Sequence, residues 1–158
     1  MNDYNRISAD TSVIVKWFRE EEGREDAILL RNYAEEGKIR LIISAITFPE
    51  VARGLKKAGW KKEDIQESLN MLDDIVKLSE IEVVDADMLV SKLAQFFVVE
   101  FNLYSADSIH PSTSILSNSG FFVSADRDHT KQNVREYSRN KGLSVLELSE
   151  IKSVLSKF

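Results

Sequence analysis

Phe121-Phe122-Val123-Ser124-Ala125-Asp126-Arg127-Asp128 is an apolar run that gives way within a few residues to small polar side chains and then to acid. Such a segment reads as a buried strand that ends in a polar turn. Ile39 to Ile43, Ile81 to Val84 and Leu143 to Leu146 are short apolar runs of the same kind. Longer segments with helical periodicity separate them, which is the pattern of parallel βαβ units. Arg6 to Ala9 is read as a fifth strand from its position, since Arg6 and Ser8 are polar for a central strand.

The helical segments are marked by punctuation and spacing. Asp26 to Glu36 is stopped by Gly37, a residue suited to the left-handed C-terminal cap. Ile65, Leu69, Leu72 and Val76 recur at helical intervals, as do Leu89, Leu93, Phe96 and Phe97, and Ile151, Val154, Leu155 and Phe158. Pro49 and Pro111 are both read as lying near helix starts, where proline is best tolerated. No repeat, low-complexity tract or long linker interrupts the pattern.

With 158 residues, 43% of them hydrophobic and 30% charged, the chain is expected to form one domain, residues 1–158, with a full core. No stretch approaches the roughly 20 apolar residues of a membrane span. The polar start Met1-Asn2-Asp3-Tyr4-Asn5-Arg6 lacks the apolar segment of a secretory signal, so a cytoplasmic location is expected. The absence of cysteine removes disulfides, thiolate catalysis and cysteine-based zinc sites. With two histidines, His110 and His129, metal ligation must come mainly through oxygen. A formal charge of −5 argues against broad attraction to nucleic acid, so any RNA contact needs a local basic patch.

Four acidic residues carry the functional reading: Asp10, Glu50, Asp107 and Asp126. Three sit where an apolar run gives way to small polar residues, and the fourth opens a helix. In an open α/β sheet the carboxyl ends of the strands share one edge, where such sheets bind ligands, so carboxylates distant in sequence would meet there. A hard cation such as Mg²⁺ prefers carboxylate and water oxygens and uses few protein groups. Without metal the gathering is costly, because two unit charges ~4 Å apart repel by about 4 kcal/mol at an effective dielectric of ~20. Each residue also has a local reading. Thr47-Phe48-Pro49-Glu50 matches the S/T-x-x-E capping box, Asp107 suits the dipole of a first helical turn, and Asp10 and Asp126 suit turns. Asp128 is read as solvated.

The set Asp10-Thr11-Ser12, Glu50 early in a helix, Asp107-Ser108-Ile109-His110 and Ser124-Ala125-Asp126-Arg127-Asp128 resembles the PIN-domain family, whose best-known members are VapC-type ribonuclease toxins of toxin–antitoxin pairs. The likeness spans roughly residues 6 to 146. It implies a three-layer α/β/α fold on a mainly parallel five-stranded sheet. It also implies Mg²⁺ or Mn²⁺ held by Asp10, Asp107 and Asp126, with Glu50 completing the catalytic set and the hydroxyls of Thr11, Ser12 and Ser124 orienting the carboxylates. RNA would be cleaved by a metal-activated water, leaving a 5′-phosphate and a 3′-hydroxyl. A homodimer and a small antitoxin partner are implied as well. Two features depart from the pattern: the polar first strand, and Pro111-Ser112-Thr113-Ser114 in place of an alanine- and leucine-rich helix.

Arg127, Lys131, Arg135 and Arg139 recur every fourth residue and would form a basic strip on a helix, along which RNA could lie. Arg53, Lys56, Lys57, Lys61 and Lys62, with Trp60 among them, form a second basic group. Val13, Val15, Trp17 and Phe18 are read mostly as core, His110 as a helix-surface or packing residue and His129 as a loop residue. The alternatives are a housekeeping PIN nuclease in RNA processing, a PIN-like binding module without catalysis, and a phosphotransfer protein. The last needs a second acid beside Asp10, which Asp10-Thr11-Ser12 does not supply.

Overall fold

A computed structural model describes residues 5–158 of the chain; the first four residues of the polar start lie outside this range. Five strands form one sheet in the order β3-β2-β1-β4-β5, and every neighbouring pair is parallel. They are β1 Arg6–Ala9, β2 Arg40–Ser44, β3 Glu82–Val84, β4 Phe121–Ser124 and β5 Ser144–Glu147. The helices are α1 Thr11–Ile14, α2 Arg24–Glu35, α3 Thr47–Lys57, α4 Lys62–Leu78, α5 Met88–Phe101, α6 Ser105–Leu116, α7 Gln132–Asn140 and α8 Ile151–Leu155. The three-layer α/β/α arrangement that the family resemblance implies is the arrangement observed.

Strand alternation splits the core between the two sheet faces. Ile7, Leu41, Ile43 and Val123 join Val13, Ile14, Trp17, Leu30, Val51, Leu55, Leu72 and Ile151 in one cluster. Phe122, Leu143 and Val145 form a second cluster, and Phe97, Leu103 and Val134 form a third. Each cap has a local cause. Gly37 closes the α2 end at φ 70° and Gly59 turns between α3 and α4 at φ 84°, both in the left-handed region. Asp87 caps α5 by accepting from the Val90 N–H at 3.0 Å.

The polar first strand is central after all, and its polar groups are satisfied. Ser8 is buried and donates to Ser114 Oγ at 2.5 Å, so the serine-rich stretch of α6 is what its hydroxyl meets. Arg6 donates to the Ser117 carbonyl at 2.8 Å and pairs with Glu82 at 3.0 Å. Within α6, Ser112 and Ser114 return their hydroxyls to the carbonyls of Ser108 and His110, four residues back.

Two expectations are corrected here. Pro111 is not near a helix start; it is buried inside α6, seven residues in, where proline costs roughly 3 kcal/mol of helix stability. The basic strip is not one helical face either, because α7 begins at Gln132. Arg127 lies before it, and only Arg135 and Arg139 are on the helix.

Candidate active site at the strand ends

The sheet brings the ends of β1 and β4 side by side, with Ala9 opposite Val123. Asp10 follows β1 directly and Asp126 lies two residues past β4. Asp10 is buried, with its side chain 4% exposed, and fixed donors surround it. Ser12 Oγ donates to Oδ1 at 2.5 Å, and Ser124 Oγ donates to Oδ2 at 2.8 Å. Nδ1 of His129 lies 3.0 Å from the same Oδ2. Both serine hydroxyls are locked in turn by backbone donors: Ala125 N–H to Ser12 and Asp126 N–H to Ser124.

His129 is the residue that sequence reading undervalued. It lies in the turn after Asp126, but it is buried. Its Nε2 lies 2.7 Å from the Asp107 carbonyl. A carbonyl only accepts, so Nε2 carries a proton. Burial disfavours the charged ring, yet the hydrogen bond and charge of Asp10, with help from the Asp107 carbonyl and Asp126, raise its pKa to about 9. At neutral pH the ring is therefore an imidazolium that donates toward Asp10 and Asp107 together. For Asp10, burial pushes the carboxyl up, and the combined effect of His129, His110 and Ser12 holds it below its ordinary value.

Glu50 does not form the capping box that its spacing allows. The N-cap of α3 is Ile46, with no side-chain cap bond, and the buried Thr47 hydroxyl has no partner among the described residues. The Glu50 carboxylate turns into the site instead. Its Oε1 accepts from Thr11 Oγ1 at 2.7 Å and from His110 Nε2 at 2.6 Å. Burial raises the Glu50 carboxyl, but His110 and Thr11 outweigh it and leave it lowered. His110 is thus a buried packing residue with a specific polar partner, three residues beyond Asp107 on α6.

Asp107 is the opposite case. Burial pushes its carboxyl up, and the charges of Asp126, Glu50 and Asp10 push the same way against His129. The four carboxylates therefore share one electrostatic neighbourhood. Among the described residues, however, no three acidic or histidine side chains converge closely enough to enclose a metal ion unaided. A cavity of about 380 Å³ adjoins the β4 end, lined by Ser124, Ala125 and Arg127 with Lys16, Asp26 and Glu147.

The basic residues divide into two groups. Lys131 pairs with Asp128 at 2.8 Å and Arg135 with Glu150 at 3.1 Å. Residues 51–62 contain Arg53, Lys56, Lys57, Lys61 and Lys62 and no acid, and none of these cations forms an ion pair among the described residues. Arg53, Lys56 and Lys62 edge a groove of about 400 Å³ floored by Pro49, Ala52 and Ile65.

Solved structures share this architecture at low identity. A toxin–antitoxin complex from Klebsiella pneumoniae is 20% identical, with 80% of this chain and 92% of that chain covered at a TM-score of 0.56. The VapBC2 structure from Rickettsia felis bound to a promoter DNA fragment gives 19% identity, 90% and 98% coverage, and a TM-score of 0.57. FitAcB from Neisseria gonorrhoeae gives 17%, 90% and 98%, and 0.62. No curated protein gives a significant sequence match. The family model of the PIN domain matches residues 7–134, a span that runs from β1 into α7 and takes in all four carboxylates; the chain belongs to the PIN domain family.

Proposed function

We propose that this chain is a divalent-metal-dependent endoribonuclease that hydrolyses phosphodiester bonds in RNA and serves as the toxin of a toxin–antitoxin pair. The observation that carries the catalytic reading is the placement of Asp107 on α6 among Asp126, Glu50 and Asp10 in a PIN fold, where burial and their charges outweigh His129 and push its carboxyl up. The four carboxylates are hard oxygen donors, which fits Mg²⁺ or Mn²⁺. Mg²⁺ commonly keeps several waters and uses one or two carboxylates, so a complete protein cage is not required. Asp107 and Asp126, with Asp10 behind them, are the residues that would hold it. When bound, such an ion supplies Lewis acidity toward the phosphate and a more acidic water.

The chain's own groups do the rest. Ser12, Ser124 and His129 keep Asp10 ionised and fixed, so little reorganisation is needed when substrate arrives. Glu50 spends Oε1 on Thr11 and His110, which leaves Oε2 to orient a water molecule. The nucleic-acid backbone would follow the cations that form no ion pair among the described residues. Arg127 beside the cavity and the α3–α4 group of Arg53, Lys56 and Lys62 meet that need better than Lys131 and Arg135, which are held in ion pairs. The cavity by β4 falls in the size range of small-ligand pockets and has room for one flanking nucleotide.

The toxin role is supported by likeness to a structure described as a toxin–antitoxin complex. A homodimer fits the exposed apolar residues Met88, Leu89 and Val99 on α5. No helix among the described residues is long and apolar enough to cross a membrane. The test is incubation of the purified protein with transfer, ribosomal and unstructured RNA, in Mg²⁺ or Mn²⁺ against EDTA, and wild type against Asp107→Asn. Cleavage that needs both the metal and Asp107 is the expected result. Equal cleavage in EDTA, or none in any metal, overturns the reading. A short reading frame for a DNA-binding protein beside the gene is expected for a toxin, and its absence favours a housekeeping nuclease.

A further inference from the structure

In an α-helix each carbonyl accepts from the N–H four residues ahead. The carbonyl of Asp107 faces position 111, which is proline and has no N–H to give. That carbonyl is nevertheless satisfied, from outside the helix, by His129 Nε2 at 2.7 Å. The other ring nitrogen of His129 lies 3.0 Å from Asp10 Oδ2 and 3.0 Å from Ser124 Oγ. One imidazole therefore ties the end of β1, the end of β4 and the first turn of α6. The ring of Phe122 packs edge-on against it, with centroids 5.4 Å apart, and fixes its plane.

We infer that Pro111 is a positioning residue for the acidic site: by withholding an N–H from the Asp107 carbonyl, it reserves that oxygen for His129 and so sets the spacing between Asp107 and Asp10. The complementarity is specific. The helical donor that proline removes is a donor that would compete with the imidazole for this oxygen. The surrounding side chains already make their own bonds, since Ser108 donates to the Ser105 carbonyl, Ser112 to that of Ser108 and Ser114 to that of His110. Among the described residues no side chain of α6 donates to the Asp107 carbonyl. A buried proline in mid-helix would otherwise be a defect, and alanine forms helix far better at such a position.

For catalysis this inference rests on the nuclease reading above, but the rearrangement of hydrogen bonds does not. The test is Pro111→Ala in the full chain, which restores an N–H aimed at the Asp107 carbonyl without adding bulk. In ¹⁵N-labelled wild type at neutral pH, the His129 Nε2–H proton is expected as a downfield signal that exchanges slowly with water. In Pro111→Ala that signal is expected to move upfield and to exchange at least about tenfold faster, while the restored N–H at position 111 becomes protected. Thermal stability is expected to hold, so the change cannot be blamed on misfolding. A His129→Gln protein, which should lose the signal altogether, confirms the assignment. If wild type cleaves RNA, kcat in Pro111→Ala should fall on the order of tenfold to a hundredfold with KM within about twofold, as expected for displaced reacting groups. An unchanged His129 signal in a folded Pro111→Ala protein overturns the inference, whether or not the protein cleaves RNA. A changed signal in a protein that never cleaves RNA upholds the positioning link and sinks only the nuclease reading.

Discussion

Asp10 and Asp107 begin from similar sequence signals, an acid set among small polar residues near an element boundary, and end in opposite physical states. Asp10 is buried among Ser12, Ser124 and His129; burial pushes its carboxyl up, but His129, His110 and Ser12 together hold it low. Asp107 is half-buried, faces three other carboxylates and is pushed up. One half of the site is thus satisfied by the protein's own donors, and the other faces like charge. The difference teaches that an acidic cluster need not be uniformly strained. A preorganised floor can carry an open mouth with excess negative charge.

The largest expected effect comes from breaking the floor. Asp10→Ala removes the partner of a buried imidazolium, and loss of one member of a buried pair typically costs roughly 3–5 kcal/mol. Chemical unfolding in EDTA should show that loss, together with loss of RNA cleavage. A cost below about 1 kcal/mol would mean that His129 discharges freely and that the two halves are not so different.

A pH series sharpens the same contrast. His129 has a folded pKa of about 9 against an ordinary value of 6.5. Its contribution to stability is therefore complete below about pH 6.5 and is lost as pH rises toward 9, because the unfolded chain releases its proton first. In EDTA the stability of wild type should decline across that window by on the order of 3 kcal/mol. In His129→Gln the slope should flatten. Asp10, with its lowered carboxyl, acts on the other side: its contribution is present above the ordinary aspartate range and disappears as pH falls through its folded value.

The fold and the acids were legible because both depend on local pattern. Apolar runs such as Phe121 to Ser124 end at the acid or just before it, and parallel strands carry those ends to one edge. The strand at Arg6 to Ala9 was legible only by position, since Ser8 satisfies its hydroxyl on Ser114, more than a hundred residues away. Glu50 could be read equally as a cap or a site residue; the cap is absent because its carboxylate meets His110 and Thr11, which no spacing rule connects to it. His129 was hidden for the same reason, because its partners lie on β1, β4 and α6. A signal does exist: a proline four residues after Asp107 orphans the Asp107 carbonyl if both share a helix, whereas a proline near a helix start orphans nothing. The basic strip failed differently. A four-residue period carries meaning only within a helix, and α7 starts after Arg127 and Lys131.

The smallest and most discriminating effect is expected at the mouth. A carboxyl whose pKa is raised by folding penalises the folded state above its folded pKa, since the unfolded chain ionises more readily. Asp107→Asn removes that penalty, so at neutral pH in EDTA the variant should be slightly more stable than wild type, by less than about 1 kcal/mol because the group is half-exposed. Adding Mg²⁺ or Mn²⁺ should reverse the order. Wild type gains stability by binding the ion, and the variant, short of one ligand charge, gains less. Thermal melts of both proteins with and without metal provide the measurement. If Asp107→Asn destabilised the metal-free protein as Asp10→Ala is expected to, Asp107 would belong to the preorganised floor, and the cation would have to be held by Asp126 with Glu50.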